Sequence, residues 1–339
     1  LYARSQGDSF LILVEDTSQN RELLKSLVDL DISIHNTTNY KVPLKIGVCP
    51  IPRYNPALSL SLYIDRANIA KKYTSARNTN YICYFTDDMN KKLNMKNMIE
   101  SEMVRALSKG EFVVYYQPKY ELANDTIIGA EALVRWNHKE KGIISPGVFI
   151  PVFERNGFIV DLDFYVYEQV LKMQKHRLDM GKKVIPISMN VSRCHLSDTN
   201  FVDKLEAVVA KYKVPKQYIE MEITESIFSQ EDSSAIALIY NLKEHGFTIS
   251  MDDFGSAYSS LNLLRKVQID TLKIDKVFID STEDVQRSQV IVEEIINMAS
   301  KIHVKTICEG VETQSQRDFL KNAGCNICLL YTSDAADDL

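Results

Sequence analysis

Residues 218–275 read YIEMEITESIFSQEDSSAIALIYNLKEHGFTISMDDFGSAYSSLNLLRKVQIDTLKID. Three short apolar runs, YIEMEITES, FTISMDDFG and DTLKID, alternate here with amphipathic stretches such as SSAIALIYNLKEHG. Apolar strands that alternate with helices are typical of parallel strand–helix units, in which the sheet is buried on both faces. This stretch therefore predicts an α/β fold.

The same alternation continues on both sides of this stretch. Further candidate strands are FVVYYQ, IIGAEALVRW, VIPISMNVS, VKTICEGVE and CNICLLY, and amphipathic helical segments separate most of them. About eight strands over roughly 220 residues favour a (β/α)8 barrel of the TIM type. Upstream, residues 88–109 predict a linker helix. Residues 1–87 predict a smaller α+β unit that opens with a hairpin at residues 1–14.

A polar or charged residue lies near the carboxyl end of most predicted barrel strands. These residues are Glu131, Asn190, Glu222, Asp252, Asp253, Lys273 and Glu309. In a barrel of parallel strands the carboxyl ends converge on one face, where active sites lie. Burying several carboxylates together is costly unless cations compensate, and one lysine cannot neutralise so many acids. The pattern predicts one or two Mg²⁺ or Mn²⁺ ions with oxygen ligands. Unrelated acids on a solvated barrel rim are the alternative.

Other kinds of site have less support in the sequence. The six histidines form neither H-x-E nor H-E-x-x-H, and no G-x-S-x-G or P-loop motif occurs. Cys325 and Cys328 form one C-x-x-C pair without a second pair or a nearby histidine. Two cysteines on a buried strand are therefore a simpler interpretation than a zinc site.

The composition limits the class of protein. The chain has 339 residues, 45% hydrophobic and 25% charged, which suits about two globular domains. A net charge of −5 argues against a nucleic-acid polymer as partner. Six scattered cysteines fit a reducing cytoplasm, and no apolar run approaches the ~20 residues that span a bilayer. We therefore expect the chain to be cytoplasmic. Because the sequence does not begin with Met, we also expect it to be a fragment of a longer protein. Its full-length parent could be membrane-anchored through a missing N-terminal region.

The polar strand ends belong to a series of ordered motifs. The motifs are YYQP (115–118), EALVRW (131–136), SPGVFIP (145–151), MNVS (189–192), EITES (222–226), MDDFGSAYSSL (251–261), LKID (272–275) and CEGVET (308–313). Through these motifs residues 105–328 resemble the EAL family of cyclic di-GMP phosphodiesterases. The resemblance implies that residues 110–328 form a modified TIM barrel, often a homodimer, that linearises cyclic di-GMP to 5′-pGpG.

The resemblance also implies roles for residues at the strand ends. The implied metal ligands are Glu131, Asn190, Glu222 and Asp252 for one ion, with Asp253 helping to hold a second. The implied catalytic residues are Lys273, which would position the attacking water, Glu309, which would bind metal or assist as a base, and Asp253. Because Lys273 lies among carboxylates it should stay protonated, so water positioning suits it better than general-base catalysis. A purely structural counter-ion is the alternative role for Lys273.

Four further residues take roles from the resemblance. Gln117 and Arg135 would contact the substrate. Glu225 would steady the loop after Asp253, and Glu312 would support the site.

The last residues depart from the family pattern. Leu329 and Leu330 stand where the resemblance implies Gln-Gly, so the last strand lacks an active-site Gln. Residues 329–339 match nothing in the family. We interpret them as an atypical tail that could be an artefact.

The N-terminal residues resemble the second half of a GGDEF cyclase domain. The signature hairpin reads Gln6-Gly7-Asp8-Ser9-Phe10. Gln6 replaces a glycine where a side chain would crowd the nucleotide, and Ser9 replaces the catalytic acid. We therefore expect no diguanylate cyclase activity. The partial, degenerate domain would be a regulatory or dimerisation module that could bind GTP or another nucleotide.

Three functions fit these patterns. The first is an active cyclic di-GMP phosphodiesterase, supported by the retained acids, the asparagine and the lysine. The second is a non-catalytic cyclic di-GMP receptor or scaffold, supported by the missing Gln-Gly. The third, with less support, is a metal-dependent hydrolase of another phosphodiester.

Overall fold

The structure, a computed structural model, describes residues 1–34, 38–51, 58–74, 81–228, 233–255, 260–279 and 285–330. Contacts divide the chain into two compact units, Leu1–Ser101 and Glu102–Leu339. Among the described helices, none has both the length and the apolar character needed to cross a bilayer.

The N-terminal unit is a mixture of short strands and helices. Its elements are β1 (Tyr2–Gln6), β2 (Ser9–Ile12), α1 (Ser18–Ser26), β3 (Asp29–Ile34), β4 (Thr38–Pro43), β5 (Ile46–Val48), α2 (Leu60–Lys72) and β6 (Ile82–Tyr84). The predicted hairpin is present: β1 and β2 pair antiparallel, and Gly7 occupies the turn with φ +55°, a conformation that favours glycine. The antiparallel pair β3–β4 was not predicted from the sequence.

A long helix, α3 (Asp87–Ser108), spans the boundary between the two units. It coincides with the helix predicted for residues 88–109. Asp87 and Asp88 lie in its first turn and Arg105 in its last turn, so the charges oppose the helix dipole at both ends.

The second unit contains a closed barrel. Its strands are β7 (Phe112–Glu121), β8 (Thr126–His138), β9 (Gly142–Ile144), β10 (Ile187–Asn190), β11 (Ile219–Thr224), β12 (Thr248–Phe254), β13 (Thr271–Ile274), β14 (Lys305–Val311) and β15 (Ile327–Leu330). Strands β8 and β10 to β15 pair in parallel around the barrel, and β7 closes it between β15 and β8. All eight predicted strands are barrel strands, which confirms the TIM-like barrel.

One strand differs from the predicted parallel arrangement. β7 runs antiparallel to both β8 and β15. Only residues 122–125 connect β7 to β8, which is enough for a hairpin and too short for the crossover that parallel neighbours need. The short β9 pairs antiparallel with the last residues of β8.

Helices connect the parallel strands and cover the barrel. They are α4 (Pro146–Asn156), α5 (Ile159–Asp179), α6 (Phe201–Tyr212), α7 (Ser233–Glu244), α8 (Ser260–Lys266), α9 (Val285–Lys301) and α10 (Gln314–Asn322). Three-residue to five-residue 3₁₀ turns follow several strands, and two of them matter below: Glu225–Phe228 after β11 and Lys276–Phe278 after β13.

The EALVRW motif contributes a structural tryptophan. Trp136 is fully buried and its ring centroid lies 5.0 Å from that of Phe112 on the neighbouring strand. Phe149 and Phe153 of α4 pack edge-on against Phe112. The indole nitrogen of Trp136 donates to Glu111 at 3.2 Å. This aromatic cluster anchors the end of β8 that follows the predicted site.

Part of the barrel interior is polar. Lys119, Ser188, Glu220 and Ser250 are all buried. Each lies two residues from a predicted site residue on its own strand, so the two sets point to the same side of the sheet. The ammonium of Lys119 lies 2.8 Å from Glu220 Oε1, and Ser188 also donates to that oxygen at 2.8 Å. The charge of Lys119 and these hydrogen bonds outweigh burial and lower the pKa of Glu220. A satisfied ion pair therefore lies beneath the candidate site.

Candidate active site

Lys273, at 1% exposure, is the centre of a buried charge cluster at the strand ends. Its Nζ lies 3.0 Å from Glu131 Oε2 and 2.9 Å from Asp252 Oδ1. It also lies 2.6 Å from Glu309 Oε1 and pairs with Glu222. Five different strands supply these side chains. The predicted convergence of Glu131, Glu222, Asp252, Lys273 and Glu309 is present.

The barrel register explains why these side chains meet. Glu131 on β8 is aligned with Gln117 on β7 and with Ser188 on β10. Glu222 on β11 is aligned with Asn190 at the end of β10. Because adjacent parallel strands end at similar heights, residues from distant parts of the chain occupy one layer of the barrel mouth.

The cluster carries more negative than positive charge. Burial lowers the pKa of Lys273, but the four carboxylates outweigh burial and hold it well above its usual value. Burial, reinforced by Glu131, raises the pKa of Glu222 well above its usual value. Burial also raises the pKa of Glu309 to about 7 despite the nearby ammonium. One lysine leaves these acids incompletely neutralised, so they must bind protons or a further cation.

Asp252 and Asp253 extend the cluster at the end of β12. Asp253 has φ +56°, and its backbone amide donates to Asp252 Oδ1 at 2.9 Å. Burial and the neighbouring Asp252 raise the pKa of Asp253 to about 6. Burial alone would raise the pKa of Asp252, but Lys273 lowers it overall. One oxygen each from Asp252, Asp253 and Glu309 lies within 4.8 Å of the others. This oxygen-only donor set suits Mg²⁺ or Mn²⁺.

Helix α5 holds the strand end that carries Asn190. The Tyr167 hydroxyl donates to the carbonyl oxygen of Asn190 at 2.8 Å. Asp163 Oδ2 accepts from the Ser192 amide at 3.3 Å and lies 2.8 Å from Nε2 of His195, which is 1% exposed. The Asn190 side chain is exposed at the mouth of the barrel. Nothing in the sequence pattern indicated that Asp163 and His195 would form a buried pair behind this asparagine.

A pocket of about 230 Å³ opens at the cluster. Its lining residues are Gln117, Glu131, Asp252, Lys273, Lys276, Glu309, Gly310 and Leu329. Leu329, at the position where the resemblance implies glutamine, is 2% exposed and lies in β15. Lys276 was not predicted as a site residue, although it directly follows the LKID motif.

Three further predicted site residues, Arg135, Glu225 and Glu312, have contacts of their own. Arg135 lies four residues beyond Glu131 on β8 and donates to the Val134 carbonyl at 3.0 Å. Glu225 is fully buried and accepts a 2.9 Å hydrogen bond from the amide of Gly255. Glu312 is exposed after β14, and its backbone amide donates to a side-chain oxygen in α10. Arg135, Glu225 and Glu312 are not among the lining residues of the pocket.

The barrel and its carboxylate–lysine pocket define the class of protein. The EAL domain family matches residues 100–329, and the chain belongs to that family. MucR of Pseudomonas aeruginosa, a bifunctional diguanylate cyclase/cyclic di-GMP phosphodiesterase, is 29% identical over 328 residues, covering 96% of this chain and 48% of MucR. The cyclic di-GMP phosphodiesterase PdeR of Escherichia coli is 29% identical over 334 residues, covering 96% of this chain and 49% of PdeR. The chain spans about half the length of these relatives.

Solved structures have the same fold. PaMucR phosphodiesterase in complex with c-di-GMP superposes with a TM-score of 0.64 at 32% identity, covering 68% of this chain and 94% of that chain. An EAL domain protein from Listeria monocytogenes EGD-e superposes with a TM-score of 0.60 at 28% identity, covering 68% of this chain and 91% of that chain.

Proposed function

We propose that this chain hydrolyses cyclic di-GMP to 5′-pGpG in the pocket around Lys273. The observation that carries the proposal is the burial of Lys273 among four carboxylates from four other strands. The names of MucR and PdeR support the reaction, and the c-di-GMP complex of PaMucR supports the ligand.

The carboxylates are proposed to hold two Mg²⁺ or Mn²⁺ ions. The proposed ligands are Glu131, Asn190, Glu222, Asp252 and Asp253, with Glu309 as a further donor. When bound, such ions activate water and stabilise the charge of the phosphate. Support comes from the excess of acids over lysine and from the short spacing of Asp252, Asp253 and Glu309.

Lys273 and Glu309 are proposed to act on the water and its proton. The high pKa of Lys273 keeps it an ammonium, which can donate to the attacking water or to a phosphate oxygen. Glu309, whose carboxylate lies 2.6 Å from the Lys273 ammonium, is proposed to accept the proton that the water loses. The water oxygen then bonds to phosphorus, the P–O3′ bond breaks, and the leaving oxygen takes up the proton that Glu309 accepted.

Four residues are proposed to support binding. Gln117 lines the pocket beside Glu131, its partner on the neighbouring strand. Gln117 and Arg135 are proposed to contact the substrate. Glu225 is proposed to steady the backbone after Asp253, supported by its bond to the Gly255 amide. Glu312 is proposed to act on the site only indirectly, because its side chain is exposed.

A second candidate function is a non-catalytic cyclic di-GMP receptor or scaffold. Leu329 favours it, because an apolar side chain lines the pocket where the resemblance implies a polar one. A receptor would use the same surface for binding and would turn over slowly or not at all. The third candidate, hydrolysis of another phosphodiester, uses the same carboxylates with a different substrate.

One assay separates these candidates. The chain is incubated with cyclic di-GMP and Mg²⁺ or Mn²⁺, and pGpG is quantified by chromatography. We expect product that disappears with EDTA and in Lys273→Met, while Lys301→Met, altered at an exposed helix end, stays active. Tight binding without product would favour the receptor. Turnover of a generic diester that cyclic di-GMP does not compete for would favour the third candidate.

For the first unit and the assembly, the proposals follow the resemblance. Residues 1–87 are proposed to be a degenerate GGDEF remnant without cyclase activity that regulates the barrel or promotes dimerisation, with GTP or another nucleotide as ligand. The barrel, residues 110–328, is proposed to form a homodimer in the cytoplasm. Gel filtration of the chain with and without GTP tests whether the chain dimerises and whether a nucleotide changes its dimerisation.

A further inference from the structure

Lys276 is a second basic residue in the proposed substrate pocket. Among the described lining residues, Lys273 and Lys276 are the basic ones. Lys273 is buried and matched by four carboxylates. Lys276 is exposed at the pocket wall, where an incoming molecule can reach it.

The backbone that carries Lys276 is closely fixed. Lys276 begins the 3₁₀ turn Lys276–Phe278, and the Asp275 side chain caps this turn by accepting from the Val277 amide at 2.7 Å. A side chain on Gly310 would place its Cβ 2.5 Å from the Cβ of Lys276. A side chain on Gly255 would collide with the ring of Phe278. The turn therefore packs closely against two glycines, Gly255 and Gly310.

Those two glycines follow the candidate ligands directly. Gly255 comes two residues after Asp253, and Gly310 comes one residue after Glu309. Both have positive φ, +97° and +68°, which a side chain would strain. The turn that presents Lys276 is thus packed against the ends of β12 and β14, the strands that carry Asp253 and Glu309. This packing sets the lysine stem at a defined distance from the carboxylates.

We propose that Lys276 binds an anionic phosphate oxygen of the substrate. This inference rests on the proposed function. Cyclic di-GMP carries two phosphodiesters, each with one negative charge, and it would enter a pocket whose wall is rich in carboxylates. A cation fixed at the wall offsets that repulsion and orients the ring of the substrate. Lys276 is then a substrate-binding residue that lowers KM, whereas Lys273 acts on the reacting atoms.

Steady-state kinetics on the full chain test the inference. Lys276→Met keeps the aliphatic stem that packs on Gly310 and removes the charge. We expect KM for cyclic di-GMP to rise about tenfold, the size of one lost charge-assisted hydrogen bond, with kcat changed less than about threefold. Lys276→Arg should restore most of the affinity. The matched control is Lys301→Met at the end of α9, which should leave KM unchanged.

Two further measurements separate charge from packing. The increase of KM with salt should be weaker in Lys276→Met than in the unmodified chain, because one ionic contact is gone. The midpoint of thermal unfolding should stay the same. An unchanged KM with normal turnover would overturn the role of Lys276 and leave the proposed function intact. A chain that neither binds nor hydrolyses cyclic di-GMP would overturn the proposed function itself.

Discussion

At the scale of single residues, Lys273 sets the electrostatics of the pocket. Its ammonium contacts four carboxylates, so the cluster has an excess of acids before any other cation binds. Removing an acid therefore relieves repulsion in the metal-free protein but removes a ligand in the metal-bound one. Variants of these acids should separate stability from activity.

Glu131→Ala should abolish turnover and leave the fold intact. Its carboxylate contacts Lys273 and lines the pocket, while the apolar strand around it keeps its packing. We expect a loss of at least about a hundredfold in kcat/KM and a change in unfolding free energy of under about 2 kcal/mol. Pre-steady-state product formation with saturating Mg²⁺ and urea unfolding provide the two measurements. An unaltered rate at saturating Mg²⁺ would contradict the assignment of Glu131 as a ligand.

Glu309 should make the metal-free protein less stable as pH rises. Its pKa is about 7 in the folded chain against a usual value of 4.5, so the folded state holds the proton more tightly. Between these two pH values the folded state binds more protons than the unfolded state, and the free energy of unfolding falls with increasing pH. The expected loss is about 1–3 kcal/mol.

Thermal unfolding in EDTA from pH 4.5 to pH 7.5 measures this effect. Glu309→Gln, which cannot ionise, should flatten the decline. Addition of Mn²⁺ should also oppose the decline, because a bound cation stabilises the ionised carboxylates. An equal slope in the variant and the unmodified chain would show that Glu309 is not the titrating group.

Sequence patterns identified most of the charged cluster, because an acid at the end of an apolar strand has few structural explanations. They did not identify Lys276, because a lysine in a turn is usually solvated. The two glycines that pack against this turn, Gly255 and Gly310, are distant in the sequence and close only in the fold. They also could not place Arg135 or Glu312. Whether a side chain next to a strand end enters the pocket depends on its rotamer and its neighbours.

At the scale of elements, the 3₁₀ turn after β13 packs against the ends of two site strands, β12 and β14. Gly255→Ala should be disruptive, because its φ is +97° and a methyl group would meet the Phe278 ring. We expect a loss of about 1–4 kcal/mol in unfolding free energy and at least a tenfold loss of turnover. Gly147→Ala is the matched control: an added methyl group there would lie 4.0 Å from the Ser145 hydroxyl oxygen, so the change should be tolerated. Calorimetry and the pGpG assay compare the two variants. Equal unfolding free energies and equal turnover would refute the close packing of the Lys276–Phe278 turn against Gly255.

The last barrel strand carries the main departure from the family pattern. Leu329→Gln should raise turnover by offering a polar group to the pocket, while lowering stability by about 1–3 kcal/mol because Leu329 packs with Ile307 and Ile327. Leu13→Gln, a change at an exposed residue of the first unit, is a comparison that should alter neither property. No gain in kcat would favour the receptor over the enzyme.

Element types were predictable where periodicity was strong and not where it was weak. The eight barrel strands are apolar runs of ordinary strand length, and each was identified. Strand direction was not encoded in those runs: the antiparallel β7 follows from the short connection at residues 122–125. The β3–β4 pair was missed because DLDISI and TNYKVP mix polar and apolar residues.

At the scale of the whole molecule, the barrel interior combines an ion pair with the site above it. Lys119→Met should cost about 3–5 kcal/mol, because Glu220 is left buried without its partner. The double variant Lys119→Met/Glu220→Met should recover most of that loss, since two apolar side chains can replace a buried pair. Urea unfolding of the single and double variants measures the difference. A double variant as unstable as the single one would argue that the pair is needed for packing beyond its charge balance.

The antiparallel seam of the barrel has a consequence for how the protein forms. The first strand of the barrel finds one of its two neighbours in the last, about two hundred residues later along the chain. During synthesis, the edges of β7 and β14 stay unpaired until that final strand leaves the ribosome. Such edges are prone to intermolecular pairing. A deletion that removes Ile327–Leu330 should therefore produce aggregates in the cell rather than a soluble enzyme with reduced activity.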